Sequence, residues 1–594
     1  MVEKIKHRFW KLLSLAIFIS ILSPFSVIAK VTPSIVPELA EHTKVFEKKV
    51  YKIADNVYSA VGWNLANTIM IVGEDGIIIV DVGESVSATR EVAAEFRKIT
   101  DKPVKAIIYT HFHPDHINGA KAFATEEQVR SGEIQIIAQD TLVDEVVNVG
   151  LTVGPIQIMR SVYQYGVVLS AEDNKDMNGG IGPIANVESS TFIAPTRTFK
   201  DSMTMTIAGV ELRMYHVPSE APDEICVYLP KSNILLAAEV SQGPTLPNFH
   251  TLRGVKFRDP IKWMDSLDFL RTFHADNMVP AHGQPVYGAE KVEEVLRYTR
   301  DGLQFIHDQT IRYMNKGLTP DELVEVVKFP PYLANYKPYL REYYGSVSHA
   351  VREIYIGYLG WFEGDPVSLD PIGKVEKARR MVTLMGGRDQ VLAEAKKVLK
   401  DGDAQWSAEL ATFLVRIDKQ DTQARIVKAD ALRTLGYASI NITKRNWYLT
   451  SAMELENKLD VVKIMNKIRG VYASEDLIKN LPAGSWVRAW SPKLDPQKSG
   501  DAHMMMGFLF PDIGEGYGLE VRRAVAQFHP KFPENPDVAL IVNKKFLNQI
   551  ILKKVSFTDG IKSGDIKVSG NPVDVQKFMG FFDFGNDPIN LTLR

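Results

Sequence analysis

Cysteine is almost absent from this chain: its 594 residues include one, Cys226. An intramolecular disulfide is therefore excluded, and so is a metal site built on a cysteine cluster. Histidine, aspartate and glutamate remain as the side chains able to hold a metal. Charge of one sign is missing too. Lysine plus arginine number 70 and aspartate plus glutamate 72, a formal net charge of −2. No global field recruits nucleic acid or an anionic membrane. Beyond the N-terminus no run is apolar enough to span a bilayer, which takes about 20 residues. No clean internal period marks a repeat array.

What is present is an ordinary globular composition, 45% hydrophobic and 24% charged. At roughly 100–200 residues per domain, the length predicts three or four domains. The first residues read as a secretory signal. Lys4, Lys6, Arg8 and Lys11 precede an apolar stretch at 12–22, then Pro24 and the small-residue site Val27-Ile28-Ala29. Residues 1–29 are expected to be a signal peptide, and the location secreted or periplasmic. An uncleaved anchor is the other reading.

Strands and helices alternate between about 45 and 288. Apolar strands are expected at 67–72, 77–80 and 104–109. A helix over 87–99 places Ala88, Val92, Ala93 and Phe96 on one face. This alternation predicts a layered α/β domain with buried strands. The chain turns helical from about 289, and 371–459 is strongly so, with amphipathic spacing at Leu392, Ala395, Val398 and Leu399. Beyond about 461 the pattern changes again. Strands are expected at 504–510, 519–528 and 566–568, a Gly-rich turn at 514–518 and a helix at 573–582, together a smaller α+β domain.

One segment concentrates chemistry: Thr110-His111-Phe112-His113-Pro114-Asp115-His116, directly after the 104–109 strand. Strand ends feeding loops are where α/β folds place ligands. In extended backbone His111 and His113 point the same way, and Asp115 and His116 lie beyond a proline-initiated turn. Three imidazoles and a carboxylate within six residues suit borderline-soft Zn²⁺.

This pattern resembles the metal signature of the metallo-β-lactamase superfamily, and further residues follow that family's order. Asp81 ends an apolar strand. Glu220 lies in Pro218-Ser-Glu-Ala-Pro222, where most members carry histidine. Glu239 ends Leu235-Leu-Ala-Ala-Glu239, where most carry aspartate. His282 lies in Val279-Pro-Ala-His-Gly283. The two glutamates resemble the alkylsulfatase branch, linear alkylsulfatase type. So do Leu246-Pro-Asn248, Thr251-Leu-Arg253-Gly254, Arg258-Asp259, Trp263, Tyr343-Tyr-Gly345 and Arg445-Asn-Trp-Tyr-Leu449.

The resemblance implies a metallo-β-lactamase-like αββα sandwich over 40–365, an all-α dimerisation domain over 370–460 and a sterol-carrier-like α+β domain over 465–594. It implies two Zn²⁺ ions. His111, His113 and Glu220 hold one, Asp115, His116 and His282 hold the other, and Glu239 bridges. Glu239 and Asp115 stand closest to the chemistry. Glu224 is a competing ligand candidate, and Asp81 and Asp259 read as supporting groups. Asn248 and Arg253 match positions that contact a sulfate. Arg253 also reads as a structural ion pair, and Asn248 as a turn residue. Members of the branch carry histidine where Pro247 stands. Tyr163 and Tyr165 line the site or belong to the core, and the Met504–Met506 run covers an alkyl tail or packs as a buried strand.

The activity implied is hydrolysis of alkyl sulfate esters by a homodimer. The alternatives are another ester hydrolase of the same fold, acting on phosphoesters, lactones or thioesters, and a lipid or surfactant carrier.

Overall fold

The structure, a computed structural model, describes residues 32–593 except 187, 473 and 586–588. The expected signal peptide at 1–29 lies outside the described residues.

Two sheets face each other in the N-terminal half. The first runs β1 (Lys49–Ala54), β2 (Val57–Val61), β3 (Thr68–Val72), β4 (Ile77–Val80), β5 (Val104–Ile108), β6 (Gln135–Gln139) and β7 (Arg197–Phe199), in that order across the sheet. Pairing is antiparallel from β1 to β4 and parallel from β4 to β7. The second sheet holds β8 (Ser202–Ile207), β9 (Val210–His216), β10 (Ile225–Leu229), β11 (Ile234–Ala238), β12 (Asn277–Pro280) and β13 (Val286–Tyr287), again in sequential order. Ile69, Ile71, Ile78, Val80 and Ile108 of one sheet pack against Leu212, Met214, Val227, Leu236 and Val279 of the other.

Helices cover both outer faces. On α1 (Val86–Arg97) the residues Val86, Ala88, Thr89, Val92 and Phe96 are buried, the three-to-four spacing of one helical face. Val92 and Phe96 meet Ile77, Ile79 and Ile107. The one-turn helix α2 (Pro114–Ile117) follows β5, and the pair α3 (Leu142–Thr152) and α4 (Gly154–Tyr165) follows β6. On the opposite side α5 (Pro260–Arg271) and α6 (Ala289–Met314) cover the second sheet through Trp263, Leu267, Leu296, Leu303 and Ile306. The result is an αββα sandwich. Among the described residues no single helix is long and apolar enough to cross a membrane. Only α3 and α4 together, bent by 91°, have the length and composition.

The helical block comprises α7 (Lys374–Leu384), α8 (Arg388–Lys400), α9 (Ala404–Ile417), α10 (Thr422–Tyr437) and α11 (Ile442–Leu455), packed around Leu392, Ala411, Leu414 and Val427. The C-terminal sheet has the order β16 (Val525–His529), β15 (Glu515–Arg522), β14 (His503–Phe510), β17 (Val538–Val542) and β18 (Ile566–Ser569).

Two expectations are corrected in this last unit. Residues 519–528 are not one strand: β15 and β16 form a hairpin around Arg523 and Ala524, at φ 48° and 57°. Left-handed backbone at two adjacent positions is the mark of a tight hairpin turn, which normally selects Asn or Gly. Arg and Ala give no such signal. The segment 514–518 is no turn beyond Gly514. Gly516 and Gly518 lie inside β15, where a Cβ on either would crowd Phe532 or Pro533. Met504 and Met506 are core residues, so the methionine run packs as a buried strand.

Candidate metal centre

The ends of β4, β5, β11 and β12, with the loop between β9 and β10, converge on one rim of the sandwich. Asp81 follows β4, His111 to His116 follow β5, Glu220 lies on the loop, Glu239 follows β11, and His282 follows β12. Ala238, just before Glu239, sits at φ 50°. Non-glycine backbone in that region is strained and persists where the surroundings enforce it.

Seven side chains meet there in two groups. His111, His113, Glu220 and Glu239 form one, and Asp115, His116, Glu239 and His282 the other, with donor atoms within 4.8 Å of one another in each. Glu239 belongs to both. Its Oε2 lies 4.0 Å from His111 Nε2, its Oε1 lies 3.6 Å from His116 Nε2, and it also contacts His282 Nε2. These are the two groups that the family resemblance implies.

Three of the four imidazoles are oriented by a partner outside the cluster. His116 Nδ1 donates to Asp81 Oδ2 at 2.7 Å, which leaves Nε2 facing the cluster. His282 Nδ1 donates to the Leu65 carbonyl at 2.8 Å. His111 Nδ1 contacts Thr110 Oγ1 at 3.1 Å, and that hydroxyl itself donates to Asp81. His113 presents Nδ1, 2.9 Å from both His111 Nε2 and Glu220 Oε2. Such outer contacts fix the tautomer and ring angle of ligating histidines. Burial, with the neighbouring rings of His116 and His113, holds the His111 pKa well below the usual imidazole value. The ring is therefore neutral, as a ligand requires.

The fit to a cation is tested by what stays unsatisfied. His116 Nε2 and Glu220 Oε2 are buried and accept no hydrogen bond. Buried polar atoms without partners are costly, and both atoms point into the cluster. Imidazole nitrogens and carboxylate oxygens are zinc-type donors. The residues fit metal ions held by nitrogen and oxygen donors.

The remaining expected residues fall around this cluster. Arg253 lines the cavity over the ligands and places Nη2 3.0 Å from His113 Nε2. Its backbone N–H donates to Gln164 Oε1. Asn248 is buried, but it is not among the residues lining the cavity. Its N–H donates to Gln242 and its carbonyl accepts from Arg258. Glu224 turns away from the ligands: it accepts from Ser219 Oγ and from the Glu239 backbone N–H. Burial and the nearby Glu239 carboxylate push its pKa well up. It braces the Glu239 turn and is not a ligand. Asp259 caps α5 through the Ile261 N–H. Tyr163 is core, bonded to Glu454, while Tyr165 reaches the cavity.

Three further groups at the site have no functional role legible in the sequence. Arg258, buried, pairs with Glu220 and so leaves Glu220 Oε2 for the cluster. Glu84 lines the cavity, accepts from the Leu65 and Asn186 N–H groups, and is pushed up to about 7 by burial. Leu477 reaches the same cavity from the C-terminal unit. Only Arg258 carried a hint, since Arg258-Asp259 is among the positions that resemble the alkylsulfatase branch, without its partner being indicated.

Comparison with known proteins agrees with this geometry. Residues 61–282 match the metallo-β-lactamase superfamily model, 319–458 the alkyl sulfatase dimerisation model, and 472–591 the alkyl sulfatase C-terminal model. The chain is 58% identical over 528 residues to a linear primary-alkylsulfatase from Pseudomonas sp., covering 88% of this chain and 100% of that protein. It is 30% identical to an alkyl/aryl-sulfatase from Saccharomyces cerevisiae, over 90% of this chain and 82% of the other. Its fold matches the stereoselective inverting sec-alkylsulfatase Pisa1 from Pseudomonas sp. with a TM-score of 0.86 at 28% identity, over 95% of this chain and 89% of that one. The protein belongs to the alkylsulfatase family of the metallo-β-lactamase superfamily.

Proposed function

We propose that this protein hydrolyses alkyl sulfate esters, dodecyl sulfate among them, to an alcohol and inorganic sulfate, with two Zn²⁺ ions. His111, His113 and Glu220 would hold one ion and Asp115, His116 and His282 the other, with Glu239 in both groups. The observation that carries the reading is the double cluster sharing Glu239 beneath a cavity that Arg253 overhangs. When bound, such a pair supplies Lewis acidity and water of lowered pKa.

The chain's own residues account for the choice of substrate. Three carboxylates, Asp115, Glu220 and Glu239, sit in the cluster, so it attracts an anion less than an all-histidine set of the same metals. A sulfate monoester is a monoanion and needs a further cation. Arg253 provides one through a planar fork suited to two oxygens of one group. That fork reaches His113 Nε2 at the edge of the cluster. A sulfate oxygen beside His113 would be a further acceptor for the same guanidinium. The Asn248 backbone carbonyl also fixes Arg258 and through it Glu220.

Apolar side chains, Val146, Val149, Ile158 and Val162 among them, line the cavity beyond Arg253 and suit an alkyl chain. Sulfate release from a graded series of alkyl sulfates tests the assignment. The zinc-loaded protein is expected to release sulfate, and Glu239→Ala to release none above background. No release at any chain length overturns the substrate class and leaves the family standing.

A further inference from the structure

The cavity over the ligands has a neighbour. A second cavity shares Phe112, His113, Val149, Gln157, Glu220 and Arg253 with it. The helix pair α3 and α4 stands between the two as a partition. Val146, Ile158 and Val162 face a narrow chamber of about 170 Å³ that Leu477 helps to close. Glu145, Asn148, Ile156 and Arg160 face a wider space of about 850 Å³. Both chambers open on the same metal-ligand cluster.

Charge divides between them. Outside the ligand cluster and Arg253, Glu84 is the charged group of the narrow chamber. The wide chamber adds Arg160, Lys256, Arg258 and Lys262 to Arg253. Against these five cations stand Glu145 and Asp259, besides the ligand Glu220. Lys256 pairs with Glu145 at 3.0 Å and Arg258 with Glu220, so a surplus of two positive charges remains, carried by Arg160, Arg253 and Lys262 against Asp259. Arg160 donates to the Leu252 and Arg253 carbonyls, so its positive charge is fixed beside the Arg253 loop. The whole chain is at −2, so this is a local concentration of positive charge. Low-dielectric walls focus such a field on an anion in the cleft.

The two halves of an alkyl sulfate ester part into unlike products, one apolar and one a tetrahedral dianion. We propose that the wide chamber is a binding and exit site for inorganic sulfate, separate from the apolar chamber that holds the alkyl chain. The assignment rests on the alkyl sulfate reading above. Sulfate formed under Arg253 lies at the junction of the two chambers. It moves down the field toward Lys256 and Lys262, while the alcohol stays against the valines.

Calorimetric titration of the metal-loaded protein tests this without turnover. Sodium sulfate and 1-octanol are titrated separately into the parent and into Lys256→Ala/Lys262→Ala. Both lysines are exposed, so the fold tolerates the change. Sulfate affinity is expected to fall at least about threefold at low ionic strength, and the loss to shrink as salt screens it. Octanol affinity is expected to stay the same. Unchanged sulfate affinity, an equal loss for octanol, or no sulfate binding by the parent overturns the proposal. A failure of alkyl sulfate hydrolysis strikes the functional reading instead, and the two failures are read in different experiments.

Discussion

At the scale of the residue, the centre depends on second partners as much as on ligands. Asp81 accepts from His116 Nδ1, the Thr110 N–H and Thr110 Oγ1. One carboxylate thus sets two ligand-bearing positions. Asp81→Asn keeps the shape but can offer an amide N–H where His116 needs an acceptor. Metal affinity is expected to fall about 10- to 100-fold, read by competition with a chromogenic chelator. An unchanged affinity would mean that Asp81 serves the loop and not the metal. The ligands on 111–116 were legible because they crowd a single strand end. Glu220, Glu239 and His282 are scattered, and family order alone could group them. Arg258 was out of reach as a partner of Glu220, because no sequence pattern announces a buried arginine–carboxylate pair.

At the scale of the element, strands and helices of the sandwich followed from periodicity: β4 is apolar throughout and buried throughout. The hairpin at Arg523 and Ala524 did not, because tertiary pairing imposed left-handed backbone on residues without that preference. The partition formed by α3 and α4 was equally hidden, since its meaning depends on Leu477, more than 300 residues away in sequence. In the helical block, α10 carries Lys428 almost fully buried. Burial lowers its pKa to about 8. The folded protein therefore binds fewer protons than the unfolded chain between pH 8 and 10.5, and stability rises with pH across that window. Below pH 8 the penalty is full, about 3 kcal/mol at most. Lys428→Met is expected to raise the thermal midpoint at pH 7 and to flatten the slope between pH 8 and 10.5. A lower midpoint in that variant would show that the ammonium is paired and stabilising.

At the scale of the whole molecule, three units meet at one site: the sandwich supplies the ligands, the C-terminal unit contributes Leu477 to the wall, and the helical block holds α4 through α11. The dimerisation match over 319–458 includes a stretch with much exposed apolar surface. Trp361 is 70% exposed, Val367 75% and Leu384 82%. Large apolar side chains left this exposed are what association covers. We propose a homodimer through this region. Sedimentation equilibrium is expected to give twice the chain mass, and Leu384→Asp/Val367→Asp to shift it toward one chain. A parent sedimenting as a single chain contradicts the proposal.

The measurement that bears most directly on the centre is metal content. Elemental mass spectrometry of the purified protein, dialysed free of excess zinc, is predicted to give two zinc ions per chain, falling to one or none in Glu239→Ala, since that side chain belongs to both ligand groups. A parent that retains no metal, or an alanine variant that keeps both ions, would contradict the account of six side chains gathered around a shared carboxylate.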